Sequence, residues 1–434
     1  MPGHWTLHGV PALAVAVALT ACGGTHGAAG GSGGQGGAAV GDDAATGADA
    51  GVSPDPNFPA GMWSGSVLGI PGNKLESPAG PILNTYRTFV RPRAPGPAQW
   101  VFWMSDATDS TWGAGVPHPN QLGATWRIEA AYAGDGGTTR AGVVPGTAIA
   151  LTFAGSPSRT VQPGERFWSD PVTIDLPPDH YLAFTWALST EAGGPSIPST
   201  SAPFLTSYIA FGKNLAAQDS NAGFGASTDL LVAPQLFATD RPVTNKLCFL
   251  GDSITQGIGS TRDSYGYWVA KIADGLGADV GVWNLGSGWA RAADAASDGY
   301  WLAKAKQCTE VAVILGVNDI INSSRSADQI LADLTTILGA LKAHDPSTRT
   351  ILFTVPTFNL GGAAYTTWKQ VNDTIRAAPL LGADRVFDIA AVQSQPAPND
   401  GQVKPEYANG GDAHPNDAAG TAIASAFLAW YAAP

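Results

Sequence analysis

Positive charge is scarce in this chain. Of 434 residues only 23 are Lys or Arg, against 35 Asp or Glu, and the formal net charge is −12. No block of Lys or Arg occurs, which argues against DNA or RNA as a partner, because phosphate binding needs a basic surface. Cysteine is scarcer still: there are three, too few for a disulfide framework. The sequence holds no His-Glu-x-x-His pair, no Cys/His cluster at zinc spacing, and no glycine loop followed by Lys-Ser/Thr to cradle phosphate. No metal and no cofactor is therefore expected.

What is present begins with an address. The apolar run "VPALAVAVALTAC", residues 10–22, is too short to span a bilayer as a helix. It ends in Leu19-Thr20-Ala21-Cys22, which resembles a bacterial lipobox, with Cys22 the residue to be lipidated. A plain secretory signal is the competing reading, and the absence of Lys or Arg from "MPGHWTLHG" weakens the signal either way. Both readings put the protein outside the cytosol, as a cell-envelope lipoprotein or a secreted protein, with membrane contact only through a lipid on Cys22. Residues 23–53 are Gly, Ala, Ser and Asp with almost nothing to bury, and read as a flexible tether.

Residues 54–240 read as an all-β sandwich or jelly roll. "HYLAFTWAL" places Leu182, Phe184, Trp186 and Leu188 on one face with the period of a strand. "QWVFWMSD", "TWRIEAAYAG", "TAIALTFAG" and "PFLTSYIAFG" repeat the pattern between Gly/Pro/Asp/Ser turns, which predicts roughly 8 to 10 strands. Seven tryptophans fall here: Trp63, Trp100, Trp103, Trp112, Trp126, Trp168 and Trp186. They suit either a sugar-stacking face or, with more weight, a sandwich core.

From residue 245 to 434 the pattern alternates. "KLCFL", "VGVWNLG", "EVAVILG" and "RTILFTVP" are short continuous apolar strands, as in a sheet covered on both faces. Between them run helical stripes, one opened by Ser326 and the last by Asn416 as candidate caps. Alternating strand and helix predicts an α/β fold with a doubly wound parallel sheet, whose functional groups gather at the C-terminal strand edge. Ser253 follows the first strand, Gly286 the second and Asn318 the third, while His414 stands in the loop before the last helix.

Ser253 raises the central question, since a serine after a strand is more often a helix cap than a nucleophile. Only two histidines, His344 and His414, fall in this half. His344 lies between a helix and the next strand, at the opposite pole, so a base for Ser253 has to be His414. The backbone N–H groups of Ser253 and Gly286 and the Asn318 amide could then receive an oxyanion. Asp252 and Asp319 read as structural.

Ser253 in "GDSIT", Gly286 in "NLGSG", Asn318 in "GVND" and His414 in "HPN" resemble, in order, the four marker residues of the SGNH (GDSL-type) hydrolase family. The likeness runs from about residue 246 to the end. The upstream sandwich is more diffusely similar to modules found before such domains, through "GERFWSDPV". The resemblance implies a flavodoxin-like sheet and hydrolysis of carboxylic esters, acetyl or short acyl, through an acyl-serine. A polysaccharide or a small-molecule ester is the expected partner. A lipase or phospholipase is the near alternative. A carbohydrate-binding lipoprotein with a vestigial hydrolase domain is the distant one.

One departure stands out. The family places an Asp three residues before the histidine, and here that position is Gly411, with Asp412 two before. Asp412 in a shifted loop, a backbone carbonyl, or Asp388 are the candidates to orient His414. Finally, if Ser253 and Asn318 sit level, Cys248 and Cys308 are offset by about five residues, roughly 16 Å along a strand, and are expected as free thiols.

Overall fold

Period-two alternation in the first half does produce strands. Leu182–Thr190 pairs antiparallel with Ile82–Val90 on one side and Trp126–Asp135 on the other, inside a seven-stranded sheet. A five-stranded sheet is built on Gly96–Ser105, which pairs with Leu236–Thr239, Arg166–Trp168 and Val172–Leu176. Their inner faces meet ring to ring, as between Phe102 and Phe184 at 4.9 Å and Phe237 and Phe184 at 6.4 Å. Two antiparallel sheets joined by such a core are a β-sandwich. This computed structural model describes residues 59–433 apart from 60, 112, 114–118, 201–204, 228–229 and 378–379. The expected leader with Cys22, the tether at 23–53 and Trp112 lie outside the described residues.

The tryptophans serve the core. Trp63, Trp100, Trp103, Trp126 and Trp186 are buried, and Trp168 is half-buried. "TAIALTFAG", expected as a full strand, contributes only the exposed pair Ile149–Ala150. The chain there leaves the sheet after two residues and turns at Ala154 and Gly155, both at positive φ.

The second half is a five-stranded parallel sheet. Its order is Val280–Asn284, Asn245–Gly251, Glu310–Ile314, Arg349–Phe353, Arg385–Phe387, the 2-1-3-4-5 arrangement of a flavodoxin-like fold. Ser326 caps the helix Ala327–His344 in a capping box with Gln329. Asn416 caps Asp417–Ala432 by accepting from the N–H groups of Ala418 and Ala419.

The two halves share their cores. Met62, Trp63, Val101 and Trp103 of the sandwich pack in one cluster with Leu250, Trp283 and Trp301 of the α/β half. Trp63 lies 3.9 Å from Trp283 between ring centroids, and the Ser64 hydroxyl donates to the Val282 carbonyl at 2.6 Å. Gly281 permits this approach, because a Cβ there would sit 1.5 Å from the Trp63 ring.

The expectation of free thiols is wrong. Cys248 and Cys308 form a disulfide with their Cα atoms 6.0 Å apart. The registry assumption failed: Cys248 pairs with Val311, only three residues from Cys308. Cys308 stands just before its strand, as expected, but in a turn whose N–H donates to the Ala305 carbonyl at 3.0 Å, so strand rise does not measure its distance from Cys248.

Candidate active site

The strand Asn245–Gly251 delivers Ser253. At its end Gly251 has no room for a side chain, since a Cβ would fall 2.0 Å from Thr255 Oγ1. Asp252, not Ser253, caps the short helix Ser253–Gln256, accepting from the Ile254 N–H at 2.9 Å. Ser253 is thereby relieved of the capping role and left in the first turn, half-buried. Burial pushes the Asp252 carboxyl up to about 7. Asp319 accepts from the Ala292 N–H at 2.8 Å, pairs with Arg325, and is pushed by burial up to about 6. Both acids act on backbone, as scaffolding.

His414 meets Ser253. The Ser253 hydroxyl lies 2.9 Å from His414 Nε2, and both Asp412 carboxylate oxygens lie 2.9 Å from His414 Nδ1. The spacing of two has a plain cause. Gly410 and Gly411, at φ 60° and 99°, turn the chain into the strand Asp412–Pro415, and residues two apart on a strand share a face. At Gly411 the backbone sits in the left-handed region, so the acid moves one place on and keeps the ring in reach. Asp388 is engaged elsewhere: it caps Ile389–Gln393, pairs with Arg376 at 2.8 Å, and accepts from Thr354. Phe358 stands edge-on to the imidazole, with centroids 5.0 Å apart.

Gly286 does not stand where it was expected. Its N–H is spent on Asn284 Oδ1 at 2.8 Å, and its missing side chain makes room for the Gln256 backbone, 2.1 Å from a notional Cβ. The glycine that lines the cavity is Gly288, whose N–H has no acceptor among the described residues. The signal was in the sequence: Asn284-Leu285-Gly286 is an Asx turn, in which the side chain takes the N–H two residues on. Asn318 does line the cavity. Its amide gives one hydrogen to the Ala290 carbonyl at 3.0 Å and keeps a second, while its oxygen accepts from Asn322.

The cavity holds about 350 Å³. Besides Ser253, His414, Gly288 and Asn318 its walls are mainly apolar: Ile258, Trp289, Val317, Ile321 and Phe358. Trp289 and Ile321 are each 37% exposed at the rim. Gln256 reaches from this wall to Thr200 of the sandwich at 3.3 Å. Such a site can take a hydroxyl proton onto an oriented imidazole beside a polar, uncharged amide.

Residues 249–421 match the model of the GDSL-like lipase/acylhydrolase family. No curated protein matches the chain. Among solved structures, a family two carbohydrate esterase from Clostridium thermocellum, in complex with cellohexaose, shares 15% identity over 85% of this chain and 97% of its own, with a TM-score of 0.35. A catalytic mutant of an acetylxylan esterase from Geobacillus stearothermophilus shares 20% identity over 45% and 97%, with a TM-score of 0.35. A carbohydrate esterase of family 3 from Talaromyces cellulolyticus shares 19% over 43% and 96%, with a TM-score of 0.34.

Proposed function

The C-terminal half carries, over residues 249–421, a domain of the GDSL-like lipase/acylhydrolase family and is a carboxylic ester hydrolase, and from that premise we propose that it removes acetyl or short acyl groups from carbohydrate outside the cytosol. The observation that carries the chemistry is the chain Asp412 carboxylate, His414 imidazole, Ser253 hydroxyl, each link at 2.9 Å.

In the proposed reaction His414 Nδ1–H donates to Asp412, which leaves Nε2 as the acceptor. Nε2 takes the Ser253 proton as Oγ attacks the ester carbonyl carbon. The oxyanion forms beside the N–H groups of Ser253 and Gly288 and the second Asn318 hydrogen. Each such donor is typically worth about 10²–10³ in rate. Collapse breaks the bond to the alcohol oxygen, which receives the proton from Nε2, and acyl-Ser253 remains. Water then gives its proton to Nε2 and attacks the acyl carbon. The acid departs and Ser253 recovers its proton.

Export is supported by the apolar leader ending at Cys22 and by the Cys248–Cys308 disulfide, a bond favoured in oxidising compartments. A sugar as the alcohol part is supported by the exposed Trp289 indole at the rim, an aromatic face of the kind that stacks on pyranose rings. The apolar walls favour a second reading, a hydrolase of longer acyl chains. The purified protein is to be assayed on p-nitrophenyl acetate and octanoate with Ser253→Ala as control. Serine-dependent turnover of acetate over octanoate is expected. A strong octanoate preference turns the reading to a lipase, and no serine-dependent turnover of either overturns it.

A further inference from the structure

The loop after the strand Val280–Asn284 carries Gly288, and Gly288 is a poor place to keep a donor still. Glycine has the widest range of backbone conformations, so an N–H on it stays aimed only if its neighbours are held. The α/β half supplies one anchor, the Ser287 N–H donating to the Gly251 carbonyl at 2.8 Å, and the sandwich supplies the rest of the hold. Ser110, fully buried, places its hydroxyl 2.5 Å from that of Ser287, the residue before Gly288. Asn73, also fully buried, donates its amide to the Gly288 carbonyl at 2.9 Å. Further along, Thr111 bonds Asp294 through its N–H at 3.1 Å and its hydroxyl at 2.9 Å.

The same short loop also governs the other donor. Ala290, two residues past Gly288, offers the carbonyl that fixes the Asn318 amide. We infer that Asn73 and Ser110 of the sandwich are positioning residues of the esterase, pinning the loop 287–290 on both sides of Gly288 and thereby aiming the Gly288 N–H and the Asn318 amide at the oxyanion. The sandwich is then part of the catalytic apparatus rather than an appended binding module. This rests on the hydrolytic reading of Ser253 above. Neither residue touches the reacting atoms, and neither carries a charge.

The test counts working sites separately from their speed. Full-length protein and the variants Asn73→Ala, Asn73→Asp and Ser110→Ala are titrated with a fluorophosphonate that becomes covalent on Ser253, and kcat for p-nitrophenyl acetate is expressed per titrated site. A purely architectural role lowers the number of titratable sites and leaves kcat per site unchanged. Positioning lowers kcat per site, by roughly ten- to a hundredfold for Asn73→Ala and less for Ser110→Ala. KM then stays within about twofold and the phosphonylation rate falls in parallel with kcat. Unchanged kcat per site and unchanged phosphonylation rate in the Asn73 and Ser110 variants, with the unsubstituted protein active, overturn this inference alone. An unsubstituted protein that neither turns over ester nor takes the phosphonate at Ser253 overturns the hydrolytic reading and this inference with it.

Discussion

At the scale of single residues, the position of the orienting acid decides how much it can contribute. The Asp412 side chain is 51% exposed while that of His414 is 17% exposed, so the carboxylate works largely from solvent. A buried triad acid is worth about 10⁴ in kcat, chiefly by fixing the tautomer and supporting the imidazolium. Water and salt screen an exposed one. Asp412→Asn is therefore expected to lower kcat by only about ten- to several-hundredfold, and Asp388→Asn to leave kcat within about twofold, since that carboxylate is held by Arg376 and Thr354. Steady-state kinetics of both variants check this, and a larger loss at Asp388 would reassign the orienting role. The vestigial reading of the domain had the offset of Asp412 as its one support. With both carboxylate oxygens 2.9 Å from Nδ1, that support is gone.

At the scale of elements, the disulfide ties the strand that presents Ser253 to the turn before the neighbouring strand. It closes a sequence separation of 60, for which loop-closure entropy gives about 4 kcal/mol as an upper range. Cys308→Ser is expected to lower the unfolding free energy by about 2–4 kcal/mol in denaturant titrations. Reductant should then destabilise the native protein but not the variant, and equal stability of the two would contradict it. This bond also marks where the sequence stopped being legible. Apolar runs such as "EVAVI" announce buried parallel strands, and Ser326 and Asn416 announce helix starts, because those signals are local. The pairing of Cys248 depended on strand registry and on how the turn at Cys308 folds, and neither is written in a local pattern. Gly286 failed differently. A glycine in "NLGSG" is visible, but which of two glycines faces the cavity depends on where Asn284 sends its side-chain oxygen. Ser253 and Asn318 were legible because topology alone brings strand ends to one edge, and His414 because the other histidine of that half, His344, lies at the opposite pole. Asn73 and Ser110 were not, since nothing in "GNK" or "TDST" announces a distant loop.

At the scale of the whole molecule, buried acids set the response to pH. Burial pushes Asp106 and Asp252 up to about 7 and Asp319 up to about 6. An acid whose pKa rises on folding keeps its proton when the unfolded chain has lost it. Its stabilisation is present at low pH and fades as pH climbs through the folded value. Asp388 and Asp384 run the other way: burial notwithstanding, Arg376 and Lys342 with nearby N–H groups hold them below the usual carboxylate range. What they lend is lost as pH falls below about 4. The melting temperature is thus expected to peak near pH 4, to decline from there to about pH 7 as the unfolded chain but not the native one sheds these protons, and to level off above it. Asp252→Asn, which keeps the capping oxygen without the titrating group, should flatten that decline. Thermal scans across this range test it, and a melting temperature that rises from pH 5 to 8 contradicts it.

The contact of Trp63 and Ser64 with the strand Val280–Asn284 has a further consequence, for the making of the protein. That strand is one of the two outer members of the parallel sheet. A bare outer strand is a template on which other chains polymerise. Parallel sheets assemble slowly, because their pairings close long stretches of chain. During synthesis the N-terminal part emerges first and can fold first. The segment that shields the vulnerable strand is thus synthesised before that strand, and the order of the two halves along the chain favours covering this edge as it forms.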